Sequence, residues 1–209
     1  MTESIYFRVF YVIASYLLGS VVFGYVMAKI LGKKGFGIID RPGTAGAGRL
    51  YGYKASIPTF FFDCGKGAAV VLVGKAIGLD IITIIAASLA VLAGHNWPVW
   101  FKFRGGGGLA TAMGIAAAVA PLQFAIVLAA SLAVSNIYRF TLRKKHKVNP
   151  NVVGGLTGVS LMPFLVYFFP RYIEAFRIPY LYLFIGVFVI IVVKGIILHF
   201  TYRNVPTAG

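Results

Sequence analysis

Seven apolar runs order this chain, at about Tyr6 to Leu31, Ile57 to Leu79, Ile81 to Phe101, Gly108 to Ala120, Pro121 to Phe140, Val153 to Phe169 and Ile178 to Phe200. Every backbone N–H and C=O inside a bilayer has to be satisfied by its own segment or by a closed barrel. A helix of roughly 20 apolar residues achieves that and crosses the hydrocarbon layer. The expected fold class is therefore all-α: a polytopic membrane helix bundle of seven transmembrane helices, in a single domain over residues 1–209. Composition agrees, with 59% hydrophobic and 12% charged residues, against about 45–50% and 25% in a soluble domain. The 25 glycines suit close packing of apolar helices through small residues. The first run follows an acidic start and has no small-x-small cleavage pattern, so it reads as a retained helix, not a signal peptide.

The fourth run is short for a span, and charge decides whether it crosses. With seven passes, one side receives Lys33, Lys34, Arg41, Arg49, Lys54, Lys102, Arg104, Arg139, Arg143, Lys144, Lys145, Lys147 and Arg203. The other receives Arg8, Lys75, Arg171 and Arg177. Cytoplasmic loops are the ones enriched in Lys and Arg, which predicts the N-terminus outside and the C-terminus cytoplasmic. Fusing Gly108 to Phe140 into one helix would set the loops at Arg104 and Arg139 on opposite sides, whereas a helical hairpin turning near Pro121 keeps them together. The same rule explains the net charge of +15 without nucleic acid as a partner. The expected setting is the cell (plasma) membrane, with membrane lipid as a partner and the Arg143 to Lys147 run solvated near anionic headgroups.

Cys64 is the only cysteine and the three histidines are scattered, so no disulfide, no metal and no cofactor is expected. Chemistry is instead suggested by three basic-side segments. The stretch Gly35 to Tyr53 holds glycines at 35, 37, 43, 46, 48 and 52 beside Arg41, Thr44 and Arg49. It suits a phosphate cradle, with backbone N–H groups, a hydroxyl and planar guanidinium forks, and equally a basic connector. Asp63-Cys64-Gly65-Lys66-Gly67 puts an acid and a base on one helical face; intramembrane ionisable residues are usually functional, and a bracing ion pair fits as well as catalysis. Gly94-His95-Asn96-Trp97-Pro98 leads to Arg104-Gly105-Gly106-Gly107-Gly108 and then Leu109-Ala110-Thr111. Four glycines opening a helix suit an anion, because the first turn presents unpaired N–H groups at the positive end of the helix dipole; they also suit close helix packing.

In this order, the three elements resemble the bacterial family of acyl-phosphate-dependent glycerol-3-phosphate acyltransferases, seven-span integral membrane enzymes that make lysophosphatidic acid. That family carries a GSGN…R loop after its first helix, a D-x-x-K-G element and a GHxFPxFxxFKGGKGVAT stretch. Gly94 to Thr111 follows the third without a gap, and Asp63 to Gly67 fits the second. Arg49 lies at the family arginine's spacing before Asp63, while Gly43-Thr44 resembles its GS with threonine for serine. The loop is shorter here, so these two registers exclude each other, and the Asn after GSG has no counterpart. Arg104 replaces the first lysine of FKGGKG, and Gly107 the second. Near the end, His199 and Arg203 match a family His and Arg, with Tyr202 in place of Asn. Ser131, Ser135 and Asn136 are the nearest approach to the family's serine pattern on the fifth helix.

The resemblance implies a single integral membrane acyltransferase domain that moves an acyl group from an acyl phosphate to the sn-1 hydroxyl of glycerol 3-phosphate, on the cytoplasmic face, in phospholipid biosynthesis. Transfer would be direct, with no acyl-enzyme. Thr44, Arg49, His95 and Arg104 are the implied catalytic residues. Asp63, Lys66, Arg41, Gly105, Gly106, Gly107, Gly108, Thr111 and His199 would bind substrate. Thr44 and Arg49, helped by Lys66, would grip glycerol 3-phosphate, and the Arg104 to Gly108 segment the acyl phosphate and its oxyanion, with His95 orienting both. Gly107 and the short loop leave open a paralogue that uses another acceptor or lacks catalysis. Lys194, inside the last run, leaves open a small anion transporter.

Overall fold

The structure, a computed structural model, describes residues 4–32, 36, 40–142, 150–170 and 173–201. The expectations on Lys33, Lys34, Gly35, Gly37, Arg143 to Lys147, Arg171, Tyr202 and Arg203 fall outside the described residues. The chain is an all-α polytopic membrane bundle. Among the described residues, six helical segments are long and apolar enough to cross a bilayer: Ile5–Ile30, Tyr53–Ala76, Ile81–Phe101, Pro121–Thr141, Pro150–Phe168 and Arg177–Thr201. Large side chains such as Tyr6, Phe10, Phe61, Phe140 and Phe200 stand exposed along them, as a lipid-facing surface requires.

The first run is not one helix. It divides into α1 (Ile5–Ser20) and α2 (Phe23–Ile30), separated at Val21 and Val22. The last carbonyls of a helix have no partner in the helix itself, and here the Lys66 ammonium accepts that task, donating to Gly19 O at 3.0 Å and Val21 O at 2.9 Å. Nor does the glycine-rich stretch stay a loop. Thr44–Tyr51 forms α3, and Gly52, at φ +78°, turns the chain directly into α4 (Tyr53–Ala76). That turn starts α4 earlier than the apolar run does.

Beyond α4 come α5 (Ile81–Asn96), α6 (Leu109–Val119), α7 (Pro121–Thr141), α8 (Pro150–Phe168) and α9 (Arg177–Thr201). Asp80 caps α5, accepting from the Ile82 and Thr83 N–H groups, and pairs with Arg8 at 3.1 Å. The break between α6 and α7 falls at Ala120, immediately before Pro121. Proline at a first helical position costs no hydrogen bond. With 11 residues, α6 extends about 17 Å.

Glycines set how closely the helices approach. A Cβ on Gly19 or Gly94 would strike α5 or α1 backbone, and one on Gly67 or Gly114 would strike α6 or α4 backbone. Such contacts replace the hydrophobic effect as the cohesive force between helices in lipid. They bring the C-terminal ends of α1 and α5 and the start of α6 against the middle of α4, above a core that includes Val71, Leu92, Ile115 and Leu183.

Candidate active site

Lys66 sits at the centre of that junction, 8% exposed. Besides the two α1 carbonyls, its Nζ lies 3.0 Å from His95 Nδ1 and 2.9 Å from Asp63 Oδ1. An ammonium has three protons, and Gly19 O, Val21 O, Asp63 Oδ1 and His95 Nδ1 surround it at 2.9–3.0 Å. Asp63, fully buried, supplies the compensating charge and lies 3.4 Å from His95 Nδ1. Nδ1 thus faces both an ammonium and a carboxylate, and the ring atom turned away from that pair is Nε2. That edge of the ring faces Gly106, where an added Cβ would collide with it.

The glycine tract is folded back under His95 by a reverse turn. Lys102 and Phe103 take left-handed conformations, φ 52° and 60°, which are costly for residues with a Cβ. The turn is held by Phe103 N–H donating to Pro98 O, Gly106 N–H to His95 O at 3.2 Å, and Tyr25 Oη–H to Arg104 O at 2.7 Å. Tyr25 also stacks on Phe101, 4.1 Å between centroids. Gly105 and Gly108 leave no space for a side chain, against the His95 and Asn96 carbonyls and the Asn96 amide respectively, whereas a Cβ on Gly107 meets only Leu198, at 3.8 Å.

From Gly108 the tract enters α6 with no side-chain cap, so the first-turn amides point at the tract without intrahelical acceptors. The other end of α6 is closed by Lys75, which donates to Ala118 O at 2.8 Å. Around the open end, Thr111 Oγ1, both Asn96 amide atoms and Thr44 Oγ1 are buried without a hydrogen-bond partner among the described residues. Thr111 Oγ1, Thr44 Oγ1 and Asn96 Nδ2 can all donate, and donors beside a helix N-terminus suit an anion. Gly43, the residue before α3, reaches the same place: a Cβ on it would lie 3.9 Å from Gly106 Cα.

The sequence-derived residues therefore divide. Thr44, Asp63, Lys66, His95, Gly105 to Gly108 and Thr111 converge. Arg104 lies at the exposed rim of the turn. Arg49 is closed on Asp40 through two hydrogen bonds, Nε to Oδ2 at 2.6 Å and Nη2 to Oδ1 at 2.8 Å, and Arg41 N–H donates to the same carboxylate. Burial pushes the Asp40 carboxyl up, but those bonds outweigh it and hold it below the usual carboxylate range; the Asp40 bond likewise raises Arg49. His199 is exposed, with its ring edge-on to Phe200. Ser131 and Ser135 face α8, and Asn136 is exposed, donating to Leu132 O. Sequence reasoning did not single out Asp40, Asn96 or Tyr25. Asp40 was legible as the single acid in a basic loop.

Beside this junction, an apolar cleft of about 200 Å³ runs between α6, α7, α8 and α9, from Leu109, Ser135 and Asn151 to Phe124, Met162 and Phe184. Leu109 and Leu132 on its rim are exposed. The α7–α8 contact beside it is made by Gly154 and Gly158 against Ser131 and Ser135.

Known proteins have a similar fold. The chain is 27% identical to a crystal structure of PlsY (YgiH), an integral membrane glycerol 3-phosphate acyltransferase, in its lysophosphatidic acid form, with a TM-score of 0.73 over 97% of this chain and 95% of that one. The glycerol 3-phosphate form gives 26% and 0.72. Glycerol-3-phosphate acyltransferase 5 of Dehalococcoides mccartyi is 32% identical over 188 residues, 87% of this chain and 75% of the relative. The enzyme of Thermoanaerobacter pseudethanolicus is 41% identical over 128 residues, 58% of this chain and 62% of the relative. Residues 9–203 match the family model described as glycerol-3-phosphate acyltransferase, and the chain belongs to that family of integral membrane acyltransferases.

Proposed function

We propose that the chain transfers the acyl group of an acyl phosphate to the sn-1 hydroxyl of glycerol 3-phosphate, releasing lysophosphatidic acid and inorganic phosphate. The observation that carries this reading is the juxtaposition of an apolar cleft beginning at Leu109 with an anion-receptive helix end beginning at Gly108. A fatty tail and a phosphorylated head then fit one continuous surface.

The acyl carbonyl lies where the α6 amides and the Nε2 edge of the His95 ring meet. The glycerol hydroxyl attacks the carbonyl carbon; the new C–O ester bond forms and the carbon–oxygen bond to phosphate breaks, its electron pair and the hydroxyl proton leaving as hydrogen phosphate. An acyl phosphate is already activated, so positioning and oxyanion stabilisation suffice, and no nucleophilic side chain is needed. Asp63 and Lys66 act as a brace: they set the His95 ring and hold α1 open at Val21. Thr44 and Arg49 receive the phosphate of glycerol 3-phosphate, Arg49 exchanging or sharing its Asp40 partner. Arg104, with Gly105 to Gly108 and Thr111, holds the donor, while Arg41 and His199 bind more peripherally.

Residues 1–209 act as one plasma-membrane domain. The extended glycine tract and α6 together make the fourth of seven passes, with the N-terminus outside and the junction on the cytoplasmic face. Arg49→Ala and Arg104→Ala test the site: each abolishes lysophosphatidic acid formation by folded protein, and retained turnover in both contradicts these assignments.

A further inference from the structure

Lys194 lies within the last membrane-spanning helix, 3% exposed. Among the described residues its ammonium has neither a hydrogen-bond acceptor nor a carboxylate; what it meets is the face of the Trp97 ring, 5.3 Å from the centroid. A buried cation without a counter-ion is costly, and intramembrane charge is usually kept for a ligand. Its place in the fold says which ligand. Phe184 and Val187 of α9 line the apolar cleft, and Lys194 and Leu198 continue the same face at helical spacing. Lys194 therefore stands about 10 Å along the axis from Val187, toward the tract. Leu198, one turn further, is the residue that a side chain at Gly107 would touch. Trp97 follows His95 and Asn96 directly.

Resting on the acyltransferase reading above, we propose that Lys194 is the cation that receives the phosphoryl group of the acyl donor as its tail enters the cleft. An ammonium at this depth, on the wall that also holds the tail, meets the head of a lipid-borne acyl phosphate rather than the phosphate of water-soluble glycerol 3-phosphate.

The test uses the full chain in detergent and two probes: palmitoyl phosphonate, an unreactive acyl-phosphate analogue, and glycerol 3-phosphate. Lys194→Met weakens phosphonate binding and raises the KM for palmitoyl phosphate at least tenfold, leaving the KM for glycerol 3-phosphate within twofold and the Tm unchanged or higher. Lys194→Arg retains most of the affinity. Gly107→Lys placed in the Lys194→Met background recovers it, because the open space at Gly107 lets a second lysine reach the same phosphoryl group. Unchanged phosphonate affinity in Lys194→Met, a shift confined to glycerol 3-phosphate, or equal loss in Lys194→Arg overturns the proposal. Binding is read without turnover, so an unmutated protein that holds the phosphonate but makes no lysophosphatidic acid refutes the acceptor reading and leaves Lys194 to be judged by its own variants. An unmutated protein that does not bind the phosphonate refutes both.

Discussion

Lys66 and Lys194 are both buried in membrane-spanning helices, yet their surroundings have little in common. Lys66 has two backbone carbonyls, the Asp63 carboxylate and His95 Nδ1 at 2.9–3.0 Å. Lys194 has the Trp97 ring face. The first is a satisfied charge whose protons hold a broken helix, a histidine and an acid in one arrangement. The second is a charge whose neighbours leave it to be completed from outside. Burial alone thus says little about the role of a lysine in a membrane; its partners decide.

The largest effect separating the two lies in stability. Lys66→Met strands a buried Asp63 and frees the α1 carbonyls, at a cost of about 3–5 kcal/mol; the expected outcome is loss of folded protein, read as a collapsed Tm in detergent. Adding Asp63→Asn recovers part of the Tm without recovering turnover, because the uncompensated charge has gone but His95 has lost its support. Lys194→Met does neither. A Tm for Lys66→Met equal to that of the unmutated protein would refute the brace.

Next comes the floor of the site. Gly106→Ala drives a methyl group into the His95 ring, and misplacement on the ångström scale costs about 100-fold in turnover. Gly107→Ala, in open space, changes it less than twofold. Equal effects at the two glycines would show that the ring does not rest on the tract as described. Ala116→Phe fills the cleft part-way along α6 and shifts preference from palmitoyl toward shorter acyl phosphates by about tenfold in kcat/KM; an unchanged chain-length profile would move the tail elsewhere.

Much of this architecture was readable from residue order. The apolar runs located the six long helices, Pro121 located the α6–α7 break, and the glycine tract with His95, Asp63 and Lys66 located the junction. What escaped depended on distant partners. The division of the first helix at Val21 is stabilised by Lys66, 45 residues away, and no local signal marks it. Lys102 and Phe103 are left-handed although neither is glycine, because the chain must double back beneath His95. The glycines at 46 and 48 suggested an open loop; they lie instead in α3, docked closely on Arg41 O and Ser56.

The smallest expected effect concerns the end of α3. The Asp40 carboxyl titrates below its unfolded value, so its pairing contribution is fully present above about pH 4 and fades as pH falls through the lower folded value. For a pair as exposed as this, the contribution is about 0.5–1 kcal/mol. Asp40→Asn should lower the Tm by a degree or two at pH 7 and have no effect once the native carboxyl is protonated. A loss at pH 7 that persists unchanged in strong acid would mean that the pair is not its source.

The most direct test is turnover by the purified, unmutated chain with palmitoyl phosphate and glycerol 3-phosphate, following lysophosphatidic acid and inorganic phosphate together. One phosphate released per lysophosphatidic acid formed is the predicted result. Phosphate release without lysophosphatidic acid, or no release from folded protein, would contradict the proposed reaction.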